Sequence, residues 1–348
     1  MRLTIAIPTF NEISYIKKTL DSIFNELLSI KENMELLLVD NASDDGTAKI
    51  LSELGLEGDL PKNLILSRIL KAENLGFDHS IETIISNAKG EYLWILGAQD
   101  TLHEGGLQSV FDSFKKNPWQ IILNASIFDE KTNVEVNTRL IEIDHDLNIS
   151  RAEDFYKQIG GPCFSISANI AKTNSLRNQN GATRTRYWSW LEKLLDSSFD
   201  IEKSGNFVLI SEPVVQILIE KAGWQNTGKD TSGATVLQNQ NPIYFTFIEL
   251  TEMASRKFNS NTQMRNTLGA YRDPFGVPRS IAMAKGSGLI FSKSVHARTF
   301  NAFKFSIWYW TVGLPISVLP RFFFHAGFLK FYKTLIHFFR LILRMPAK

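Results

Sequence analysis

Short apolar runs alternate with segments of three-and-four spacing through the first hundred residues, and this alternation restricts the fold more than any other feature. Residues 3–7 are a continuous apolar run closed by Pro8-Thr9, which reads as a buried parallel strand ending in a loop. Ile13, Ile16, Leu20, Ile23, Phe24 and Leu27 then recur at helical spacing, with Asn11 ahead of them as N-cap. Strands are expected over 35–39, 64–67 and 91–96, with helices over 48–54 and 78–88 between them. This βαβαβαβ order implies an α/β fold, a mostly parallel, doubly wound sheet of Rossmann-like type.

Ligands of such sheets lie beyond the carboxyl ends of the strands, where the strand order reverses. The polar residues gather at those ends: Thr9, Asn11 and Glu12 after the first strand, Asp40 and Asn41 after the second, Asp100 after the fourth. One turn rich in Asp, Asn and Ser is ordinarily only a turn, but its recurrence at successive strand ends points to a nucleotide site. No Gly-x-Gly-x-x-Gly follows the first strand and no Gly-x-x-x-x-Gly-Lys-Ser/Thr occurs anywhere, which removes the main support for a dinucleotide oxidoreductase or a P-loop enzyme.

Four segments occur in the order seen in family 2 glycosyltransferases: Ile5-Ala6-Ile7-Pro8-Thr9-Phe10-Asn11-Glu12, Leu38-Val39-Asp40-Asn41-Ala42-Ser43-Asp44-Asp45-Gly46-Thr47, Asn74-Leu75-Gly76-Phe77, and Gly90-Glu91-Tyr92-Leu93-Trp94-Ile95-Leu96-Gly97-Ala98-Gln99-Asp100. Over residues 1–125 the chain resembles a GT-A enzyme of that family, and is similar to its abequosyltransferase-like branch acting on bacterial surface polysaccharide. The resemblance implies that Pro8, Thr9, Asn11 and Glu12 border the nucleotide, that Asp40 and Asn41 contact base and ribose, and that Asn74 and Gly76 lie near the diphosphate. It implies inverting transfer from a nucleotide-sugar donor to a lipid-linked saccharide acceptor. Asp100 would be the metal ligand for Mg²⁺ or Mn²⁺, with the Gln99 amide oxygen beside it. Here the chain departs from the family pattern, because Ala98 and Gln99 stand where further acids are expected. His103 reads as an exposed loop histidine rather than a further ligand.

The catalytic base should come from the second half, where Glu192 and Asp196 share one face of an expected helix containing Trp188, Leu191 and Leu195. The alternative is that both are surface carboxylates on a helix packed by its apolar residues. Residues 140–146 alternate apolar and acidic and read as a half-solvated strand. Arg177, Arg184 and Arg186 are solvated loop charges or contacts for an anionic acceptor or the diphosphate. The single cysteine, Cys163, excludes an internal disulfide framework and reads as a small buried thiol. The N-terminus has no apolar run of signal-peptide length, so the globular part is expected in the cytoplasm.

The formal net charge of +2 argues against a nucleic-acid-binding chain, yet it conceals a partition. Residues 274–348 contain eleven Lys/Arg, no Asp or Glu, and 12 of the 25 Phe, leaving the rest of the chain at −9. Residues 305–320 are uncharged but interrupted by Pro315 and Pro320, shorter than the ~20 apolar residues a spanning helix needs. Lys330, Lys333, His337, Arg340 and Arg344 fall on one stripe of an otherwise apolar helix, a pattern suited to lying on an anionic membrane surface. A helix packed on the protein's own core or on a partner subunit has the same pattern. The expected organisation is a nucleotide-sugar half (1–125), an acceptor half (126–225), a connecting helical region (226–300) and a C-terminal helical membrane-associating extension (301–348) that keeps the protein at the cytoplasmic face. No feature sets an oligomeric state. Two other functions remain: a sugar-binding scaffold that lost the acidic cluster, and a sugar nucleotidyltransferase, which would need a Gly-rich basic loop after the first strand.

Overall fold

β1 (Leu3–Thr9) and β2 (Met34–Asp40) are buried on both faces, as is β4 (Tyr92–Ile95); their mostly apolar sequences suit a sheet covered by helices on each side. β3 (Leu64–Leu70) lies at the sheet edge and is only half-buried. In the computed structural model the described residues are 1–56, 58, 60–130, 132–159, 165–177, 189–200, 206–219, 281, 293–304 and 309–318. The chain divides into two compact units, Met1–Gly223 and Trp224–Lys348.

In the first unit the chain continues through β5 (Thr101–Leu102), β6 (Gln120–Asp129), β7 (Val134–Asn137), β8 (Leu147–Ile149), β9 (Asn169–Lys172) and β10 (Phe207–Ile219). The described strands form one ten-stranded sheet of order β3-β2-β1-β4-β9-β6-β10-β5, with β7 on β6 and β8 on β10. Strands β3, β2, β1 and β4 are mutually parallel, and β6 is parallel to β10. β9 lies antiparallel between β4 and β6, so all six of these parallel strands end at the same edge. The chain leaves β1 outward through β2 and β3, then returns to the opposite side of β1 as β4. That reversal marks the carboxyl ends of β1 and β4 as the expected place for a ligand. The line expected at residue 125 falls inside β6.

α1 (Ile16–Leu27) turns Ile16, Leu20, Ile23 and Leu27 inward, each side chain contributing roughly 1.5–3 kcal/mol by leaving water. It begins three residues later than the spacing suggests. Asn11 is not its N-cap: Asn11 holds a left-handed φ of 58°, Ile13 is 44% exposed, and the Tyr15 position before the helix has no side-chain cap. α2 (Thr47–Glu53) and α3 (Phe77–Asn87) follow β2 and β3 as expected. The buried Glu26 of α1 accepts hydrogen bonds from the Gly105 and Leu107 amides, at 3.0 and 2.9 Å, where α4 (Gly106–Ser113) begins. An anion is favoured at that positive helix end. α5 (Ala152–Ile159), α6 (Thr173–Arg177) and α7 (Ser189–Asp200) complete the described helices of this unit.

Residues 140–146 form no strand; the short β8 begins only at Leu147. The buried Asn124 amide stands in for a strand partner there. Its Oδ1 accepts from the Leu140 and Ile141 amides (3.0 and 2.9 Å) and its Nδ2 donates to the Ile141 and Ser211 carbonyls (2.8 and 2.7 Å). Arg177 is not a free loop charge either: its guanidinium donates to the Ile85, Ser86 and Ala88 carbonyls at the end of α3.

In the second unit α8 (Lys293–Phe303) is followed by a wide turn (Tyr309–Gly313) and α9 (Leu314–Val318). No described helix is long and apolar enough to cross a membrane. Cys163, Trp188, Arg184, Arg186 and the basic stripe from Lys330 to Arg344 lie outside the described residues.

Candidate active site

The loops after β1 and β2 are tied into one corner by short polar side chains. Asp40, buried at the end of β2, accepts from the Thr9 hydroxyl (3.0 Å), the Ser43 amide (2.9 Å) and the Ser43 hydroxyl (2.5 Å). Asn11 lies across from it, its amide donating to Ser43 Oγ (2.9 Å) and its Oδ1 accepting from the Asp44 amide (3.0 Å). This is why Asn11 adopts a left-handed conformation, which Asn tolerates better than most residues. Asp45 accepts from the Ile13 and Thr47 amides and the Thr47 hydroxyl, at 3.0, 2.9 and 2.7 Å. Burial alone would raise the Asp45 carboxyl, but these donors outweigh it and hold it below the usual range. Gly46, at φ 105°, brings its backbone against Ile13, where a Cβ would come within 2.8 Å of Cδ1.

A second pair of loops is joined by two amides. Asn41 Nδ2 donates to Asn74 Oδ1 at 2.5 Å, while Asn41 Oδ1 accepts from the Leu75 amide at 3.1 Å and Asn74 Oδ1 from the Gly76 amide at 2.9 Å. Asn41 must both donate and accept here, which a carboxylate cannot do. Gly76 has φ 87° and open space where a Cβ would project, leaving its backbone accessible in front of α3. Pro8 needs no second ladder partner, because the β1–β4 pairing ends at Ala6 and Ile95.

The loop after β4 carries the third group. Asp100 is buried, with Oδ1 accepting from the Leu218 amide (3.0 Å) and Oδ2 from the Ser167 hydroxyl (2.5 Å). Burial pushes its carboxyl up to about 6, against the lowering effect of those two hydrogen bonds. Gln99 Nε2 donates to Glu12 Oε2 at 3.1 Å, joining this loop to the one after β1. Ala98 is buried, and its carbonyl accepts from Thr19 at 2.8 Å. Among the described residues no three His, Cys, Asp or Glu side chains converge to cage a metal. The oxygens present, the Asp100 carboxylate and the Gln99 amide, fit a hard cation whose other ligands are substrate phosphate and water, which is how Mg²⁺ is usually held.

Ser167 and Lys71 are two residues of this edge that the sequence does not advertise. Ser167 belongs to a segment with no motif. Lys71 follows β3, which runs to Leu70 rather than ending at 67. The Lys71 ammonium donates to His79 Nδ1 (2.9 Å) and Ser80 Oγ (3.1 Å) at the start of α3, and its burial lowers its pKa. His103 is half-buried rather than exposed, with Nε2 2.8 Å from Ser126 Oγ. Glu192 and Asp196 lie one turn apart on a half-buried flank of α7, while Trp190, Leu191, Leu194 and Leu195 face inward.

The family model described as "Glycosyl transferase family 2" matches residues 4–177. The chain is 33% identical to the abequosyltransferase RfbV of Salmonella typhimurium over 116 residues, which is 32% of this chain and 33% of that protein. Matched stretches span only about a third of the first curated relatives, 33–36% of their lengths. Among solved structures, Staphylococcus aureus TarS 1–349 in complex with UDP-GlcNAc aligns with a TM-score of 0.54 at 13% identity, covering 98% of this chain and 92% of that one. The mannosyltransferase PcManGT from Pyrobaculum calidifontis, in complex with GDP-Man and Mn²⁺, aligns at 0.51 and 16% identity, covering 91% and 85%. These likenesses establish the GT-A fold that the resemblance of the four motifs implied. With half of its residues matched by the family model, the chain belongs to glycosyl transferase family 2.

Proposed function

We propose that the chain transfers a sugar from a nucleotide-activated donor to a saccharide carried on a lipid, as a step in making a cell-surface polysaccharide. The observation that carries this reading is the convergence of the loops after β1, β2 and β4 at one edge of the sheet, joined through Thr9–Asp40, Asn11–Ser43 and Glu12–Gln99. Thr9, Asp40 and Asn41 hold the loops that frame the nucleotide, and each keeps further hydrogen-bonding capacity for base and ribose edges. Gly76 and the first amides of α3 face the diphosphate, with the Lys71 cation beside them. Asp100 and Gln99 would hold Mg²⁺ or Mn²⁺. That ion would neutralise charge building on the departing diphosphate.

The reaction is a single in-line displacement. An acceptor hydroxyl attacks the anomeric carbon, the carbon–oxygen bond to the nucleoside diphosphate breaks, and configuration inverts. The hydroxyl proton passes to a carboxylate, for which we propose Glu192, with Asp196 one turn away as the alternative. The basic, aromatic residues 274–348 support a lipid-linked acceptor, since such a substrate is presented at a membrane. We place the enzyme at the cytoplasmic face on that ground.

The deciding experiment incubates the purified chain with a panel of nucleotide sugars and membrane extract, with and without chelator, and follows both nucleotide release and sugar transfer. Transfer from at least one donor is expected, and Asp100→Ala should lower it by on the order of 10²-fold or more. If no donor is consumed under any condition, the sugar-binding reading stands instead; it is favoured by one observation, the replacement of the expected acids by Ala98 and Gln99. Product that retains a nucleotidyl group would identify a nucleotidyltransferase, although the loop Phe10-Asn11-Glu12 contains no glycine or basic residue to support that chemistry.

A further inference from the structure

The second unit sorts its aromatic rings in two directions. α8 buries Val295, Thr299 and Phe303 on one face and exposes Lys293, Ala297, Phe300 and Asn301 on the other, with Lys304 exposed just beyond its end. Phe303 packs inward against the buried Tyr309, ring centroids 6.4 Å apart. One turn earlier the pairing is repeated facing outward. Phe300, 41% exposed, meets Trp310, 48% exposed, edge to face at 5.7 Å. The Trp310 Nε1–H donates to the Lys304 carbonyl at 2.8 Å, so the indole's polar atom is satisfied within the chain and the outward part of the ring is hydrocarbon.

Single exposed apolar side chains are ordinary, but two large rings held in mutual contact form a patch that wants a cover. The chemistry of that cover is set by charge. No acidic residue occurs from 274 to 348, and Lys293 and Lys304 lie at the two ends of the exposed α8 stripe. Rings at acyl–headgroup depth with lysines reaching the phosphates describe an anionic bilayer surface. A protein partner would have to offer an acidic rim around an apolar pocket.

We propose that the exposed face of α8, through Phe300 and Trp310 flanked by Lys293 and Lys304, seats in the headgroup layer of an anionic membrane. The inference rests on the reading that the C-terminal region meets a membrane, and it moves the contact to residues ahead of 305, with Trp310 as the inserted ring.

The test uses the full chain in flotation with vesicles of phosphatidylcholine, with and without phosphatidylglycerol. Wild type should float with the anionic vesicles, and Phe300→Ser/Trp310→Ser should bind them about tenfold more weakly. Because that variant removes packing, two more carry the decision. Lys293→Glu/Lys304→Glu touches only exposed positions and should also weaken binding to anionic vesicles. Brominated lipid should quench the tryptophan fluorescence of wild type more than that of Trp310→Phe. If wild type floats while the lysine variant binds equally and Trp310→Phe is quenched to the same extent, the α8 assignment is overturned and the broader membrane reading survives. If wild type does not float, both are lost, and a protein partner becomes the occupant to seek.

Discussion

Two corners of the same sheet edge hold one aspartate half-exposed and one buried, and treat them in opposite ways. In the β1–β2 corner Asp45 takes three donors from its own turn and its neighbour, and it is held below the usual carboxylate range. In the β4 loop Asp100 takes only two, from Ser167 and Leu218, and deeper burial pushes it up to about 6. The residue type is the same, and the count of donors against the loss of water decides the outcome. The first corner is built to be finished, with its charge spent on holding loops. The second retains a carboxylate incompletely compensated by the protein, a group that gains when a cation or another proton donor arrives.

The comparison breaks first at Asp100. Asp100→Ala should lower transfer by on the order of 10²-fold or more, about 3 kcal/mol of transition-state stabilisation, measured as kcat/KM with the accepted donor. Asp100→Asn should lose activity similarly yet melt within a few degrees of wild type, since a neutral amide can accept from Leu218 and donate towards Ser167. An active Asp100→Asn would show that the charge does not matter to the reaction.

Asp40→Ala comes next, and its effect should fall on stability. It removes the shorter of the Thr9 hydroxyl's two hydrogen bonds and the partner of the Ser43 amide at a buried strand end, so a loss of about 2 kcal/mol in denaturant unfolding is expected. A smaller change than that from an exposed substitution such as Lys49→Ala would mean that this corner is not the brace it resembles. Asn41→Asp should cost about 1–2 kcal/mol by facing a carboxylate oxygen with Asn74 Oδ1, and it should weaken donor binding by loosening Gly76. Unchanged stability together with unchanged KM for the donor would show that the amide pair is incidental.

The smallest effect concerns pH at the opposite edge of the sheet. Glu35 is fully buried, which by itself raises its pKa, but hydrogen bonds from Ser67, the Lys89 amide, Thr4 and the Lys89 ammonium outweigh burial and hold it below the ordinary value of 4.5. A depressed carboxyl contributes its stability above 4.5 and loses it as pH falls towards the folded value. Glu35→Gln should therefore flatten the acid limb of the stability curve, and an identical acid limb would show that other carboxylates control it.

Much of the first hundred residues was legible because local physics and tertiary packing agree there. Apolar runs of strand length became strands β1 to β4, each placed within one to three residues, and the polar residues at their ends met at one edge because parallel strands all end on the same side. The misses have a common cause. Asn11, a good N-cap by type, was taken by Ser43 and Asp44 from a loop about thirty positions away, and the helix began without it. The alternation over 140–146 described a strand, but what it met was the side chain of Asn124 and the single Ala125 carbonyl, with no ladder. Lys71 and Ser167 carry no motif; their proximity to the site exists only once β3 and the segment before β9 are folded.

The sequence by itself determined the order of elements, the family, and the separation of a basic, aromatic C-terminal region from an acidic remainder, because periodicity, motif spacing and charge are written along the chain. Only the tertiary structure decided how each polar group is used. Whether a carboxylate is saturated like Asp45 or poised like Asp100, and whether an aromatic ring faces inward like Phe303 or outward like Phe300, depends on donors and neighbours that arrive from distant positions. Hydrogen bonding and desolvation act across space, over a few ångströms, and sequence distance does not measure them.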